Sequence, residues 1–524
     1  MKNKSVMNHD FSRIPQAEIQ RSVFNRSHAH KTTFNAGDLV PIYVDEVLPG
    51  DTFNLNATFF ARMTTPIYPI MDNLVMDVHF FYVPNRLVWE NFQQFCGERK
   101  NPDDDLDFLV PEVNAPSGGW QVGSLADYFG WPLGIFPFTA SALWHRAYNL
   151  IWNEWYRSTS LQDRLPLDIG DGPDVAFDYT VQKRGKRHDY FTSAMPWPQL
   201  GPAVALPLGD KAYVSSNASV GASIAVDSAV GTSITGYKLG TNTTNLLQLD
   251  APGDAEAGRL YADLATATAT TINELRQAFQ IQRIYERDAR GGSRFTELLK
   301  SHFGVTSPDA RLQRPEYLGG TSANVQLTSI AQTSGSPNDG ATGYTPDPMG
   351  TLSAVGTITA KGGFTKSFVE HGVILGLASV RADLTYQQGL PRMFSRKTRF
   401  DFYWPALAHL GEQAVLSKEI YCDGTAGDSD VFGYQERWAE YRYYPSKITG
   451  KFRSSESDTL DAWHLSQEFS TRPTLSDTFI QENPPMARVL AVSDQPHFFM
   501  DSFIQCRTAR PMPVYSVPGL VDHF

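Results

Sequence analysis

The chain has 524 residues, of which 41% are hydrophobic and 19% are charged, and its net charge at pH 7 is −11. This composition excludes an intrinsically disordered chain, and the acidic balance argues against a dedicated nucleic-acid-binding domain. A chain of this length can bury a large core, and length alone favours about two to four domains.

Cysteine content and hydropathy indicate the compartment of the protein. Cys96, Cys422 and Cys506 are far apart and odd in number, which fits neither a disulfide framework nor a zinc motif. Residues 5–17 lack the apolar core of a secretory signal, and the apolar run Val373–Ala378 is too short to span a bilayer. We therefore expect a protein made in a reducing cytosol, without a membrane partner.

The N-terminal segment is basic, unlike the rest of the chain. Residues 1–31 carry six Lys and Arg against Asp10 and Glu18, a net charge of +4, which leaves −15 for the remainder. A basic arm on an acidic body suits contact with nucleic acid, although such arms are also often simply solvated. We define residues 1–36 as the basic N-terminal arm.

Alternating apolar and polar residues, the period of a half-buried strand, recur in two parts of the chain. The predicted strands are 39–47, 52–59, 74–82, 372–384, 399–404 and 496–508. They fall in two blocks, 37–84 and 364–508, and neither block alone has enough strands to close a sandwich. We therefore predict a mainly β protein with one sandwich built from both blocks.

Helical patterns lie between the two strand blocks. Thr271–Glu274 has the sequence of a capping box, which predicts that a helix starts there, and Gly291 and Gly292 end it. The predicted helices are 87–96, 144–155, 271–291 and 295–303.

Two other segments have the composition of long surface loops. Residues 214–259 and 321–363 are rich in Ser, Thr, Ala and Gly, and the first contains a single aromatic residue, Tyr237. Tyr237, Lys238 and Arg259 are our candidate residues for an exposed protrusion.

The C-terminal segment 510–524 is predicted to be an extended arm. Its prolines at 511, 513 and 518 exclude a helix, and apolar residues lie between and after them. Such an arm needs another protein surface to lie on. The candidate assembly residues of this C-terminal arm are Pro513, Tyr515, Val517 and Leu520.

The sequence carries no motif for catalysis or for a resident metal. A P-loop, a Gly-x-Ser-x-Gly elbow and a His-Glu-x-x-His pair are all absent. His28 and His30 lack a third ligand nearby, and Asp168–Asp174 and Asp423–Asp430 lack the spacing of a calcium-binding loop. We expect no cofactor and no enzymatic activity.

Two basic clusters are candidates for contact with nucleic acid, because cations track phosphates and aromatic rings stack on bases. The first comprises Lys183, Arg184, Lys186 and Arg187, and the second comprises Arg437, Trp438, Arg442, Lys447, Lys451 and Arg453. The second cluster also interleaves its cations with Tyr441, Tyr443, Tyr444 and Phe452. The alternative is a structural ion-pair cluster under a subunit contact, with Glu436 and Glu440 as local partners.

Several long segments resemble the major capsid proteins of the gokushoviruses, a branch of the Microviridae. The resemblance runs from about residue 20 to the end of the chain. The matching segments are His30–Phe53, Pro66–Leu74, Gly185–Pro198, Tyr285–Ser293, Gly389–Phe394 and the C-terminal arm.

The resemblance implies a single eight-stranded jelly-roll β-sandwich with long inserted loops and several helices. It also implies a T=1 icosahedral shell around a circular single-stranded DNA genome, assembled in the cytoplasm of a bacterial host. The partners it implies are further copies of the chain, a small basic internal DNA-binding protein, a minor or pilot protein and a host-cell surface receptor. In this family a large insertion forms a protrusion at the threefold axis.

These patterns together predict the organisation of the chain. The predicted parts are the N-terminal arm (1–36), the first part of the jelly roll with helical insertions (37–198), a candidate surface protrusion (199–270), a helical insertion (271–320), a second surface loop (321–363), the second part of the jelly roll (364–509) and the C-terminal arm (510–524). The competing interpretation is a carbohydrate-active enzyme or lectin on a β-sandwich, whose two carboxylates could be any Asp or Glu. An enzyme of that kind would be a monomer or small oligomer, whereas a capsid protein forms megadalton particles.

Overall fold

The computed structural model describes residues 20–104, 106–202, 204, 272–292, 294–333 and 350–515, together with the backbone of four short strands between 213 and 263. The chain divides into two compact units. The first comprises residues 1–198 and 293–524, and the second comprises residues 199–292.

The described regular elements follow one another in chain order. The strands are β1 (Ser22–Asn25), β2 (His28–Phe34), β3 (Val40–Val47), β4 (Thr52–Met63), β5 (Leu74–Pro84), β6 (Glu112–Asn114), β7 (Thr139–Ser141), β8 (Tyr213–Ser216), β9 (Lys238–Leu239), β10 (Leu247–Gln248), β11 (Leu260–Asp263), β12 (Glu316–Asn324), β13 (Gln326–Ala331), β14 (Leu352–Ser367), β15 (Gly372–Ala382), β16 (Glu412–Leu416), β17 (Val431–Glu436) and β18 (Phe498–Arg510). The α-helices are α1 (Phe92–Phe95), α2 (Leu125–Tyr128), α3 (Leu143–Ile151), α4 (Ile272–Gly291), α5 (Phe295–Phe303), α6 (Asp309–Leu312), α7 (Asp477–Ile480) and α8 (Met486–Val489).

Two antiparallel sheets form the sandwich of the first unit. The six-stranded sheet has the order β1–β18–β4–β14–β13, and β2 also pairs with β18. The four-stranded sheet has the order β12–β5–β15–β3. Because β1 and β2 pair with successive parts of β18, they form one edge strand that is interrupted at Arg26 and Ser27.

This strand order is that of a jelly roll. With β1 and β2 counted as one strand and β13 left out, eight strands remain, four in each sheet. Consecutive strands of the sequence lie in opposite sheets along much of the chain. The predicted eight-stranded jelly roll is therefore confirmed. β13 is an additional strand, which continues from β12 but pairs with β14 in the six-stranded sheet.

The main core lies between the two sheets. Along β4 every second residue is buried, as Leu55 and Phe59 illustrate, and the intervening residues face solvent. β5 and β15 are instead buried on both faces, because a second apolar cluster containing Trp89 and α3 covers the outer face of the four-stranded sheet. These two strands consequently have continuous hydrophobic sequences rather than alternating ones.

The helix predictions are mostly confirmed. α4 and α5 occupy the predicted ranges, and Gly304 ends α5 in the left-handed conformation with φ of 70°. The pattern at 144–155 forms α3 followed by a turn of π-helix, Trp152–Tyr156. Of the range 87–96, only Phe92–Phe95 is α-helical.

Two predictions about strands and loops are wrong. Residues 399–404 do not form a strand, because Arg399–Asp401 is a turn of 3-10 helix whose start is capped by the Asp401 carboxylate. The range 321–363 is not simply a surface loop, since β12, β13 and β14 all extend into it. The second block of jelly-roll strands therefore begins at Glu316 rather than at residue 364.

The second unit contains two pairs of short antiparallel strands, β8 with β11 and β9 with β10, together with α4. Within this unit, the backbone N–H of Leu200 donates a hydrogen bond of 3.3 Å to the carbonyl oxygen of Tyr285 in α4. Helix α4 thus belongs with residues 199–270, which the sequence analysis separated from it.

Candidate functional site

The described residues offer surfaces rather than a catalytic pocket. Within the described ranges, no group of three or more His, Cys, Asp and Glu side chains is arranged to hold a metal ion. Among the helices of those ranges, none is both long and apolar enough to cross a membrane.

The acidic loop Asp423–Asp430 holds an arginine. Nη2 of Arg472 lies 2.9 Å from Oδ1 of Asp423 and 3.2 Å from Oδ1 of Asp428. The guanidinium therefore neutralises the carboxylates that could otherwise bind a cation. In the other acidic loop, Asp174 forms a buried pair of 2.6 Å with Arg146. Both loops are structural.

The first basic cluster lies inside a network of the jelly roll. Its backbone runs between residues 37–38 on one side and 480–482 on the other, to which it is hydrogen-bonded. Lys183 pairs with Asp38 at 2.7 Å, and Arg184 pairs with Asp77 at 2.8 Å. Each of these charges therefore has a partner within the same chain.

The two other cations of this cluster are also engaged. Arg187 lies 3.4 Å from Asp383. Nζ of Lys186 donates to Oε1 of Gln467 at 2.9 Å and lies 4.5 Å from the centre of the Phe479 ring. Burial lowers the pKa of Lys186 to about 8, despite the nearby carboxylate of Glu482. The geometry therefore favours a structural role for this cluster, in ion pairs and hydrogen bonds within the chain.

The second basic cluster is considerably more exposed. The Arg437 guanidinium lies 4.3 Å from the ring centre of Trp438, and Nη2 of Arg442 forms an ion pair with Glu436 in which both side chains are exposed. Nζ of Lys447 lies 4.7 Å from the ring centre of Tyr444. Lys451 and Arg453 are exposed as well. Apart from the half-buried Arg437, these cations remain accessible to a partner.

Trp438 anchors the second cluster to the protein. It is 5% exposed, and its Nε1 donates a hydrogen bond of 2.9 Å to the carbonyl oxygen of Leu407. Its φ of 73° lies in the left-handed region, which is costly for a residue with a side chain. The burial of the indole stabilises this conformation, so Trp438 positions its neighbours and does not itself face a partner.

A set of exposed aromatic residues lies beside this cluster, and sequence reasoning noted only Tyr441 and Tyr444 of it as part of a site. The Arg396 guanidinium lies 4.1 Å from the ring centre of Tyr441, and that of Arg399 lies 4.7 Å from that of Trp404. We name this set the aromatic–arginine surface. It comprises the exposed Phe394, Arg399, Phe400, Phe402, Tyr403, Trp404, Tyr441 and Tyr444, together with Arg396, whose side chain is only 10% exposed and pairs with Glu440. The signal for it was the run of alternating aromatic and charged residues at 399–404, which was interpreted as a strand.

The C-terminal arm leaves the sandwich at a fixed point. Nε of Arg510 lies 3.1 Å from Oδ2 of the buried Asp51, and its Nη2 donates to the carbonyl oxygen of Glu46 at 2.7 Å. Beyond this anchor, Pro513 is exposed and Tyr515 is 82% exposed. The candidates Val517 and Leu520 lie outside the described residues.

The protrusion candidates fall largely outside the described residues. Tyr237 and Arg259 are not among them, and Lys238 is described only as part of the backbone of β9. These three remain predictions.

A jelly roll of this strand order is a fold that viral shell proteins share with lectins and other proteins, so the family comparison decides between them. The family model described as capsid protein (F protein) matches residues 12–520. The chain therefore belongs to this family of phage capsid proteins, whose place is in the virion.

Three relatives match over nearly the whole chain. Capsid protein VP1 of Bdellovibrio phage phiMH2K is 45% identical, with 98% of each chain covered. Capsid protein VP1 of Chlamydia phage 1 is 42% identical, again with 98% of each chain covered. Capsid protein VP1 of Spiroplasma virus 4 is 36% identical, over 98% of this chain and 97% of the relative. The names describe structural proteins, and none describes an enzyme or a lectin.

The contrast between the two basic clusters predicts different effects on stability. Arg184→Gln should lower the free energy of unfolding by about 1.5–3 kcal/mol, because it removes buried hydrogen bonds to Asp77 and Ser379, while Arg381 remains paired with Asp77. Arg442→Gln should change it by less than about 0.5 kcal/mol, since its pair with Glu436 is exposed. Urea denaturation of the subunits measures both values. Equal effects of the two substitutions would contradict the assignment of the first cluster to structure.

A buried histidine predicts loss of stability in acid. The His145 ring is enclosed by Trp120, Phe129, Trp131 and Tyr179, with ring centres 4.8–5.5 Å away, and burial lowers its pKa to about 3 even though Asp174 is near. The unfolded chain, with a histidine pKa near 6.5, binds the proton more readily. The contribution of His145 to stability is therefore complete above about pH 6.5 and falls as the pH decreases toward 3.

This loss can be measured by urea denaturation of the subunits between pH 7 and pH 4. The unfolding free energy of His145→Phe should fall less over that range than that of the unmodified chain. The difference is up to about 1.4 kcal/mol for each unit by which the pKa of His145 is lower in the folded than in the unfolded chain. His409→Phe, a change at an exposed histidine, is the matched control. An unchanged pH dependence in His145→Phe would show that this ring does not titrate on unfolding.

Proposed function

We propose that this capsid protein self-assembles into a T=1 icosahedral shell that encloses a circular single-stranded DNA phage genome. Full-length similarity to three phage VP1 proteins and the jelly-roll fold support a major shell component. The proposed partners are other copies of the chain, the DNA, a small basic internal protein, a minor or pilot protein and a host receptor.

The aromatic–arginine surface is the observation that carries the self-assembly proposal. Large exposed apolar patches on soluble proteins usually mark sites that bind a partner. Phe394 and Phe400 are each 65% exposed, and Trp404 is 42% exposed. Trp, Tyr and Arg are also the residue types that dominate the binding energy of protein interfaces. We assign this surface to contact between neighbouring subunits.

The C-terminal arm supplies a second proposed subunit contact. Arg510 holds the start of the arm against Asp51, and the residues that follow place Val514 and Tyr515 in solvent, with 60% and 82% of their surfaces exposed. Exposed apolar side chains on an anchored arm are stabilised when a neighbouring surface covers them. The arm is therefore proposed to lie along its own or a neighbouring subunit and to help close the shell.

The genome-facing residues are proposed from accessibility and charge. Arg442, Lys447, Lys451 and Arg453 are exposed and Arg437 is half-buried, whereas Lys183, Arg184 and Arg187 form intramolecular ion pairs and Lys186 is buried. We therefore propose the second cluster, together with the basic N-terminal arm, for contact with DNA, and we give less weight to the first.

The host-contacting part is proposed to be the unit 199–292. It forms a compact unit of its own, and it is inserted in the sequence between β7 and β12. Its long stretch of small polar residues is typical of exposed segments, which tolerate variation and carry recognition.

The shell proposal predicts the effect of shortening the arm. The purified full-length chain should form megadalton particles that are visible by negative-stain electron microscopy and size-exclusion chromatography. A chain that ends after Met512 retains Arg510 and its ion pair with Asp51, so the subunit should fold normally and fail to form particles. Circular dichroism is the control for folding. Normal particles from the shortened chain would exclude the proposed role of the arm.

The protrusion proposal predicts where trypsin cuts intact particles. Cleavage should occur after Lys238 or Arg259 while the particles stay assembled, and the cut particles should lose attachment to host cells. Buried Arg146, at 0% exposure, is an internal control that should remain uncut. Protection of both proposed sites, under conditions that cut elsewhere in the particle, would place the segment inside the shell or at an interface.

A further inference from the structure

The outer face of the six-stranded sheet is open, unlike that of the four-stranded sheet. Alternate residues of β4 and β18 point away from the core, and their side chains are exposed along both strands. Since β18 pairs with β4 throughout, these exposed side chains form a continuous surface across the two strands. We name this surface the open sheet face.

Three phenylalanines lie in a row on the open sheet face. Phe499, Phe60 and Phe503 are 41%, 39% and 48% exposed. The register places Phe60 opposite Asp501, between the two phenylalanines of β18, so the Cα atom of Phe60 lies on a diagonal roughly 7–8 Å from those of Phe499 and Phe503. Phenylalanines at such positions contribute nothing to the core between the sheets.

The charge of this face is opposite to that of the whole chain. Its outward side chains on β2, β4, β14 and β18 include four cations, Lys31, Arg62, Lys361 and Arg507, and one acid, Asp501. Lys31 pairs with Asp501 at 3.5 Å, and within the described residues the other three cations form no ion pair. A face with an excess of positive charge on a chain of net charge −11 attracts an anionic partner.

Polar groups fill the remaining positions. Asn54, Asn56 and Gln505 alternate with the buried residues of their strands and present amides beside the rings. A groove of 630 Å³ lies at one end of the face. Its lining includes the rings of Phe60 and Phe499, the cations Lys31 and Arg62 and the acids Asp127 and Asp501. Rings, cations and amides on an open sheet are the combination with which proteins hold single-stranded nucleic acid without reading its sequence.

We propose that the open sheet face is a binding platform for single-stranded DNA, with Phe60, Phe499 and Phe503 stacking on bases and Arg62, Lys361 and Arg507 contacting phosphates. This inference rests on the proposed function and adds to it a specific site distinct from the second basic cluster. A small basic protein fits this face poorly, because the excess positive charge repels it. A second copy of the chain fits the aromatic–arginine surface better, since more aromatic rings are exposed there than on the open sheet face.

Two double variants test the platform by fluorescence anisotropy, with a labelled oligothymidylate as probe and the full-length subunit as protein. Phe60→Ala with Phe503→Ala should weaken binding about thirtyfold, as about 1 kcal/mol of stacking for each of the two rings requires, with little change in salt dependence. Lys361→Gln with Arg507→Gln should lower the slope of log affinity against log salt by about 1.4, or about 0.7 for each lost phosphate contact.

The chain offers matched controls for both variants. Phe177→Ala removes an exposed ring, 81% exposed, and Lys100→Gln removes an exposed cation, both away from the sheet. If both double variants bind the probe as tightly and with the same salt slope as the controls, the platform is excluded. If the phenylalanine variant loses particles and retains full affinity, the face is instead a subunit contact and the proposal is wrong.

Particle formation by the unmodified chain tests the proposed shell function, and DNA binding by the double variants tests the platform, so the two proposals can fail independently. Particles from the unmodified chain, combined with unchanged DNA binding by both double variants, would overturn the platform and leave the shell proposal intact. Absence of particles from the unmodified chain would overturn the shell proposal, whatever the anisotropy shows.

Discussion

The pairing of β18 in the middle of the six-stranded sheet is the constraint on which the rest of the structure depends. β18 is formed by Phe498–Arg510, near the end of the chain, and it pairs with β1 and β2 on one side and β4 on the other. The sheet is therefore incomplete until almost the whole chain has been made. The same strand ends at Arg510, whose ion pair with Asp51 fixes the origin of the C-terminal arm.

Long insertions are compatible with this sandwich because they begin and end on neighbouring strands. The chain leaves β5 at Pro84 and returns at Glu316 to pair with the same strand, where Glu316 lies opposite Tyr82. The closure entropy of such a loop rises only slowly with its length, by about 0.6 kcal/mol for each doubling. More than two hundred residues can therefore be inserted here without altering the register of the sheet.

Strands whose side chains alternate or are uniformly apolar could be predicted from the sequence. The strands β12 and β14 were missed, because close packing against neighbouring strands requires small residues in them. Gly363 lies in β14, where a Cβ atom would collide with the carbonyl oxygen of Leu55, and Gly320 in β12 is similarly close to Val78. Glycines required by neighbouring strands give this region the composition of a loop.

The role of charged residues could not be predicted for a related reason. The sequence shows that Arg184 is a cation, and only the fold shows that Asp77 neutralises it.

The two outer faces of the sandwich differ in what covers them, and this difference organises the function. Apolar residues around Trp89 and α3 cover the four-stranded sheet, so β5 and β15 are buried on both sides and lack free side chains. The six-stranded sheet retains strict alternation, which leaves one face for the core and the other for rings, amides and cations. The core requires apolar residues only on the inner face of these strands, and any polar residue would serve on the outer face. The three phenylalanines and the excess of cations on the outer face therefore require a separate explanation. Contact with an anionic polymer provides one, and it accounts for the positive face of an otherwise acidic chain.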